Sequence, residues 1–466
     1  MFSRETYIQR RNRLRKDVSQ GLIVLLGNEE SSMNFKDNWY HFRQDSSFLY
    51  FCAVSLPGLT AVLDCDSGED MIFGDELTID DIVWTGPQPT IASLAEKSGI
   101  TNTAPTSQLE VVLKKALSDG RKVHFTPPYR EEHTTKLAAW TGKSIAEIRS
   151  GESIKLIKAI IAQRNIKSPE EIVELHKAVD LTADMHLAAM KFARPGMKES
   201  EIAAKINQVA LAGEGQLSFP VILTKDGQTL HNHYHGNIIQ EGDLILCDTG
   251  AEIQSGYAGD MTRTFPVAST FTQTQKELYQ IVLNAHETAI AALKPGIKYK
   301  DIHLKACTKL AEGLIEVGLM KGNPEEAVAA GAHTMFFQCG LGHMMGMDVH
   351  DMENLGEQYV GYSDDLKKST EFGLKSLRLG KELEAGFVIT VEPGIYIIPE
   401  LIDRWKAENK YTDFLNYDRL ETYKSFGGIR IEEDFVITPS GADLLGKPVA
   451  KTVNDVEEIR KEALQS

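Results

Sequence analysis

Two aspartates twelve residues apart, Asp248 and Asp260, stand in segments that read as strands: Leu244-Ile245-Leu246-Cys247 leads into the first, and the second sits among Ala258, Met261 and Phe265. The polar turn Gln254-Ser255-Gly256 lies midway. Folded as an antiparallel hairpin, the stretch would bring the two carboxylates roughly opposite each other. Like charges about 4 Å apart in a low-dielectric interior repel by several kcal/mol. Such a pair needs a cation between its members, or a shared proton.

Three further candidates follow in similar settings. His343 sits in Gly340-Leu341-Gly342-His343, where small neighbours let the backbone approach a buried site closely. Neither dinucleotide nor Walker spacing is met there, so this is no phosphate loop. The run Phe387 to Val391 has strand character and ends in Glu392, stopped by Pro393-Gly394. From Ile429 to Ile437, alternation puts Ile429, Ile431 and Glu433 on one face and Arg430, Glu432 and Asp434 on the other. That pattern leaves both Glu432 and Glu433 open. Two Asp, two Glu and one His suit hard or borderline divalent cations, and so anionic a set suits two of them. Two cations bridged by carboxylates would activate a shared water and polarise a carbonyl, which is hydrolytic chemistry. No serine nucleophile elbow or Cys-His setting competes with that reading. His231, His233 and His235 alternate as well. In a strand, alternate residues spread about 6–7 Å apart, so one of the three is expected at the site rather than all on one ion.

The elements that must carry these residues fall into two parts. Residues 1–152 read as an α/β domain, with a charged helix over Arg4 to Val18 and short buried strands around Leu22, Thr60 and Lys122. From 153 the texture turns to long helices, Ile154 to Gln163, Pro169 to Phe192 and Lys198 to Leu211; the second opens with the N-cap and acidic first turn of Ser168-Pro169-Glu170-Glu171. Two more, Gln273 to Leu293 and Lys300 to Val317, have apolar spacing that packs one face on a sheet. Asp351 to Leu383 reads as an acidic, largely helical insertion, and it and Glu400 to Ser425 are candidate surface excursions or lids.

A chain of 466 residues, 42% hydrophobic and 25% charged, has ordinary globular composition. Its formal charge of −16 argues against nucleic acid or an anionic membrane as partner. Five scattered cysteines suit free thiols in a reducing compartment. The Arg-rich amino terminus lacks an apolar core and no later run approaches the length of a membrane span, so a cytoplasmic protein is expected.

Taken together, Asp248-Thr249-Gly250-Ala251, Gly259-Asp260-Met261-Thr262-Arg263, Gly342-His343, Asp348-Val349-His350-Asp351, Val391-Glu392-Pro393-Gly394 and Gly428-Ile429-Arg430-Ile431-Glu432 resemble the pita-bread metallopeptidases. The likeness is closest to the aminopeptidase P group, with prolidases next. Phe42-Arg43-Gln44-Asp45-Ser46 resembles that group's amino-terminal domain. The resemblance implies an α/β pita-bread catalytic domain over 153–466, preceded by a smaller α/β domain over 1–152. It implies that Asp248 chelates one metal, that Asp260 and Glu432 bridge two, and that His343 and Glu392 complete the second, so Glu432 is chosen over Glu433. The usual ions are manganese, with cobalt or zinc in relatives. His231 matches the substrate-side histidine, His350 the one that contacts the scissile peptide, and Arg430 would orient substrate. The implied reaction is attack of a cation-activated water on an Xaa-Pro bond, with Glu392 passing a proton to the leaving nitrogen. A dipeptidase restricted to Xaa-Pro would share every ligand, whereas metal-free binding relatives lose theirs. A homodimer or a pair of dimers is the implied assembly. One position departs from the pattern: Cys339 stands where members commonly have a histidine that shapes the substrate pocket.

Overall fold

In the computed structural model, which describes residues 2–465, the chain forms two compact units. One runs up to Arg164 and takes in Asn354–Tyr359; the other comprises Asn165–Glu353 and resumes at Val360. The division therefore falls one helix beyond residue 152, because Ile154–Arg164 packs with the first unit, where Ala162 O accepts from Arg13.

The first unit is built on strands β1 (Leu22–Leu26), β2 (Thr60–Asp64), β3 (Asp70–Phe73), β4 (Asn102–Ala104) and β5 (Val123–His124), ordered β4-β3-β2-β1-β5. The inner pairings are antiparallel and the two edges parallel. Every residue of β1 is buried, as its unbroken apolar run requires of a strand covered on both faces. Helix Arg4–Val18 starts where the Ser3 hydroxyl accepts from Thr6 N–H. Asp45 caps helix Ser46–Cys52 in the same way, at 2.8 Å from Phe48 N, while Trp39 and Tyr40 before it are exposed.

The second unit repeats one theme. Helices Pro169–Phe192 and Glu199–Ala212 lie against strands β6 (Gln216–Leu217), β7 (Ile222–Thr224), β8 (Leu244–Thr249), β9 (Ala251–Glu252) and β10 (Met261–Pro266), with sheet order β10-β8-β7. Helices Gln273–Ala291 and Tyr299–Glu316 pack together, and the first of them lies against β11 (Val388–Val391), β12 (Gly394–Tyr396) and β13 (Gly428–Arg430). β14 (Glu433–Ile437) and β15 (Ala442–Leu444) complete the sheet β11-β14-β15. Glu432 N–H donates to Thr262 O at 3.1 Å and joins the two halves. One apolar core runs through both, from Met185 and Ile206 to Leu310 and Ile429.

Three expectations change here. The hairpin pairs Asp248 with Thr262, and Glu252 with Ala258, so it centres on Ser255 rather than Gln254. Asp260 is therefore diagonal to Asp248 on the same face, not opposite it. The run 429–437 is two strands in different sheets, parted at Ile431 and Glu432. The segment 351–383 is mostly irregular, with only Glu353–Leu355, Glu357–Val360 and Leu374–Ser376 forming short helical turns. Its glycines and local polar residues offer no sustained apolar face to hold a helix. No helix among the described residues is long and apolar enough to cross a membrane.

Gly250 sets the hairpin's closeness: a Cβ there would lie 1.8 Å from Gly259 O, a backbone atom that cannot swing away. Gly250→Ala is expected to lower the unfolding free energy by about 2 kcal/mol or more, measured as a fall in the denaturation midpoint at unchanged slope.

Candidate metal centre

A cavity of about 190 Å³ is lined by His231, Asp248, Asp260, His343, His350, Glu392, Arg430 and Glu432, every site residue singled out in the sequence. The local chemistry explains why each points there. Asp248 and Thr262 share one face of the β8–β10 pair, and Asp260 follows diagonally on that face. Arg430 and Glu432 enter from the alternation of the 428–437 run. Glu433, on the opposite side, is buried against Arg263 at 2.7 Å and Lys451 at 2.6 Å. The geometry thus separates the two adjacent glutamates: only Glu432 lines the cavity.

His343 is held by backbone. Its N–H donates to Thr390 Oγ1, and its carbonyl accepts from Thr390 N–H, which lays the glycine-rich segment along β11. Gly342 permits this approach, since a Cβ there would meet Thr390 O at 2.1 Å. His343 Nδ1 donates to Met344 O at 3.1 Å, which leaves the Nε2 lone pair facing Asp260 Oδ2 at 3.3 Å and Glu392 Oε1 at 3.8 Å. A lone pair against carboxylate oxygens is repulsive unless a cation or proton lies between them. One ligand atom each of Asp260, His343 and Glu432 lie within 4.8 Å of one another.

Several residues that sequence reasoning passed over hold the set in place. Thr262 Oγ1 donates to Glu432 Oε2 at 2.7 Å and accepts from Arg430 Nε at 3.0 Å. Arg430 also pairs with Asp248 Oδ2 and donates to the Tyr396 hydroxyl at 2.9 Å, so all its nitrogens are engaged by protein groups. Asp434 Oδ2 accepts from Asp260 N–H at 3.1 Å. His350 stacks edge-on against His343 with centroids 4.3 Å apart, and its Nδ1 is 2.6 Å from Glu353 Oε2. Asp434 shares a face with Glu432 in the alternation, and Thr262, Glu353 and Tyr396 stand two to four residues from Asp260, His350 and Glu392, so local signals for them were available.

The stretch carrying the three histidines is coil rather than strand. His231 and His233 both line the cavity, and His235 turns away to Val221 O at 3.1 Å.

Burial raises the acids. Asp248 rises to about 6, with Asp260 adding to the shift and Arg430 opposing it; Asp260 also rises to about 6, and Glu392 to about 8. Glu432 is pushed well above the usual carboxylate range for the same reason. Burial lowers His343 to about 4 and leaves it a neutral donor. The Asp248 and Asp260 Oδ1 atoms are buried and have no hydrogen-bond partner among the described residues. Orphaned carboxylate oxygens around a neutral imidazole fit divalent cations that prefer oxygen and nitrogen donors.

Residues 173–439 match the profile of metallopeptidase family M24, and residues 7–124 match the aminopeptidase P N-terminal domain. The chain is 32% identical to human Xaa-Pro dipeptidase over 461 residues, covering 96% of this chain and 90% of that protein. It is 30% identical to Escherichia coli Xaa-Pro aminopeptidase, covering 98% of both. A solved structure of an E. coli aminopeptidase P variant in complex with substrate superposes with a TM-score of 0.82 at 29% identity, covering 100% of each chain.

A carboxyl whose pKa is raised by folding contributes stability that is present below its unfolded value, about 4, and is lost as pH rises through its folded value. With Asp248 and Asp260 near 6 and Glu392 near 8, the chelator-treated protein is expected to lose stability as pH rises from about 4 to about 8. Denaturant midpoints across that range, with and without saturating divalent cation, check this: the cation should flatten the loss.

Proposed function

The chain belongs to metallopeptidase family M24, and from that premise we propose that it hydrolyses the Xaa-Pro bond at the amino terminus of peptides, releasing the first residue. The observation that carries this reading is the meeting of Asp248, Asp260, His343, Glu392 and Glu432 in one cavity, with orphaned oxygens on both aspartates. Asp248 would hold one divalent cation, Asp260 and Glu432 would bridge two, and His343 and Glu392 would complete the second. Manganese suits the oxygen-rich set, with cobalt or zinc as substitutes. Bound there, the pair would supply an acidified water and Lewis acidity toward a carbonyl.

The chain's own residues would do the rest. Arg430 holds Asp248 and Tyr396, so its influence on substrate passes through them, as a positioning residue. Glu353 accepts from His350 Nδ1 and fixes that ring, which leaves Nε2 to meet the scissile peptide. His231 stands exposed on the substrate side of the cavity and would contact the bound peptide. Glu392 lines the cavity beside His343 and would pass a proton to the departing proline nitrogen. Cys339 lines the cavity where relatives commonly carry a histidine, and its Sγ lies 3.8 Å from the Tyr396 hydroxyl.

A second reading, Xaa-Pro dipeptidase, is favoured by the identity to the human enzyme of that name. Free thiols suit a reducing cytoplasm, and the family likeness supports a homodimer or a pair of dimers, with no nucleic-acid or membrane partner.

Asp260→Asn is expected to abolish both cation binding at the carboxylate centre and peptidase activity; activity retained in that variant overturns the mechanism. Rates on Xaa-Pro-Xaa peptides should exceed those on Xaa-Pro dipeptides by at least about tenfold, a difference of about 1.4 kcal/mol in transition-state binding. Equal or inverted rates favour the dipeptidase. His350→Ala should lower kcat by about 10² or more while metal content, read by elemental analysis, stays unchanged.

A further inference from the structure

A second group of metal-ligating side chains lies apart from the carboxylate centre and shares no residue with it. Helix Tyr299–Glu316 presents His303 and Cys307 on one face, one turn apart. The turn Ala332–Met335 brings His333 to the same place. One ring nitrogen of each imidazole and the Cys307 sulfur all lie within 4.8 Å of one another, and all three residues are buried. His303 Nε2 is 3.4 Å from Cys307 Sγ. Around a tetrahedral zinc, with bonds of about 2.0–2.1 Å to nitrogen and 2.3 Å to sulfur, those atoms would stand about 3.6 Å apart.

We propose that His303, Cys307 and His333 bind a single zinc-like cation, in a buried site distinct from the catalytic pair. A thiol–imidazole hydrogen bond alone would account for His303 and Cys307. It does not account for a second buried imidazole, that of His333, at the same point. Burial keeps both rings neutral, lowering His303 to about 3 and His333 to about 4, so each offers a lone pair. Burial also pushes the Cys307 thiol up, so it stays protonated until a cation arrives. Binding then replaces the S–H bond with a sulfur–metal bond and releases one proton to solvent. Two nitrogens and a thiolate select zinc or cobalt over the harder manganese, magnesium or calcium. The two centres therefore sort different ions by donor chemistry.

The site also touches the catalytic wall. The His303 ring packs against Phe337 with centroids 5.5 Å apart, and Phe337 is two residues before Cys339, which lines the cavity. A cation here would tie helix Tyr299–Glu316 to the segment that leads to His343.

Cobalt titration of the full-length chain is the test, because a thiolate bound to Co2+ gives a near-ultraviolet charge-transfer absorption that the oxygen-rich centre cannot produce. The band should reach one equivalent per chain in the wild type and in Asp260→Asn, and vanish in Cys307→Ala and in His333→Asn. Zinc content of Asp260→Asn should likewise fall from one equivalent to none when Cys307→Ala is added. Absence of the band in wild-type protein at saturating cobalt overturns the proposal, whether or not the variants fold. So does a band that survives in Cys307→Ala. Both outcomes are independent of peptidase activity, so this site and the peptidase reading fail separately.

Discussion

Mutual repulsion among Asp248, Asp260, Glu392 and Glu432 is the constraint that the second unit is built to contain. Burial raises the proton affinity of all four acids around one small cavity, and acidic neighbours raise Asp248, Glu392 and Glu432 further. The protein supplies cations of its own: Arg430, spent on Asp248, Tyr396 and Thr262, and Arg378, which also lines the cavity and acts on Asp260 and Glu392. Two guanidiniums do not neutralise four carboxylates. The remaining negative charge, together with the fixed lone pair of His343, is what makes the cavity a receptor for divalent ions.

Holding such a set demands rigid supports, and these are mostly backbone. β8 and β10 place Asp248 and Asp260 through their register; β11 and the 340–343 segment hold one another through Thr390. Thr262, Arg430 and Asp434 restrain the acids by hydrogen bonds at the outer oxygens or main chain, leaving inner oxygens free. Glycines at 250 and 342 remove the side chains that would push these segments apart.

Behind the cavity lies a separate charge system that balances itself. Arg263 is fully buried and donates to Glu433, to Glu432 O at 2.8 Å and to Ala450 O at 3.0 Å, while Lys451 takes the other Glu433 oxygen. Glu433 consequently stays below the usual glutamate range while its neighbour Glu432 rises far above it. Strand alternation sends one to a paired environment and the other to an unpaired one. Glu433, paired with a guanidinium and an ammonium, is structural; Glu432, with no ion-pair partner of that kind, is left to an external cation.

Local rules in the chain alone determined much of this. The capping box of Ser168 and Glu171 set the start of helix Pro169–Phe192, because capping is settled within one turn. Period-two alternation put Arg430 and Glu432 on one face and Glu433 on the other, although it did not say which face met the site. The donor types alone pointed to divalent cations and hydrolysis. Tertiary structure decided the rest. The hairpin centre shifted to Ser255 through pairing beyond the turn, and the run 429–437 was split between sheets by its partners on either side. The 351–383 segment took an irregular path because it carries no apolar stripe to seat a helix. His333 met His303 and Cys307 across a gap no spacing rule reaches. Short-range geometry can be read from adjacent residues; convergence of distant ones depends on how packed sheets and helices share a core, and that is a property of the whole fold.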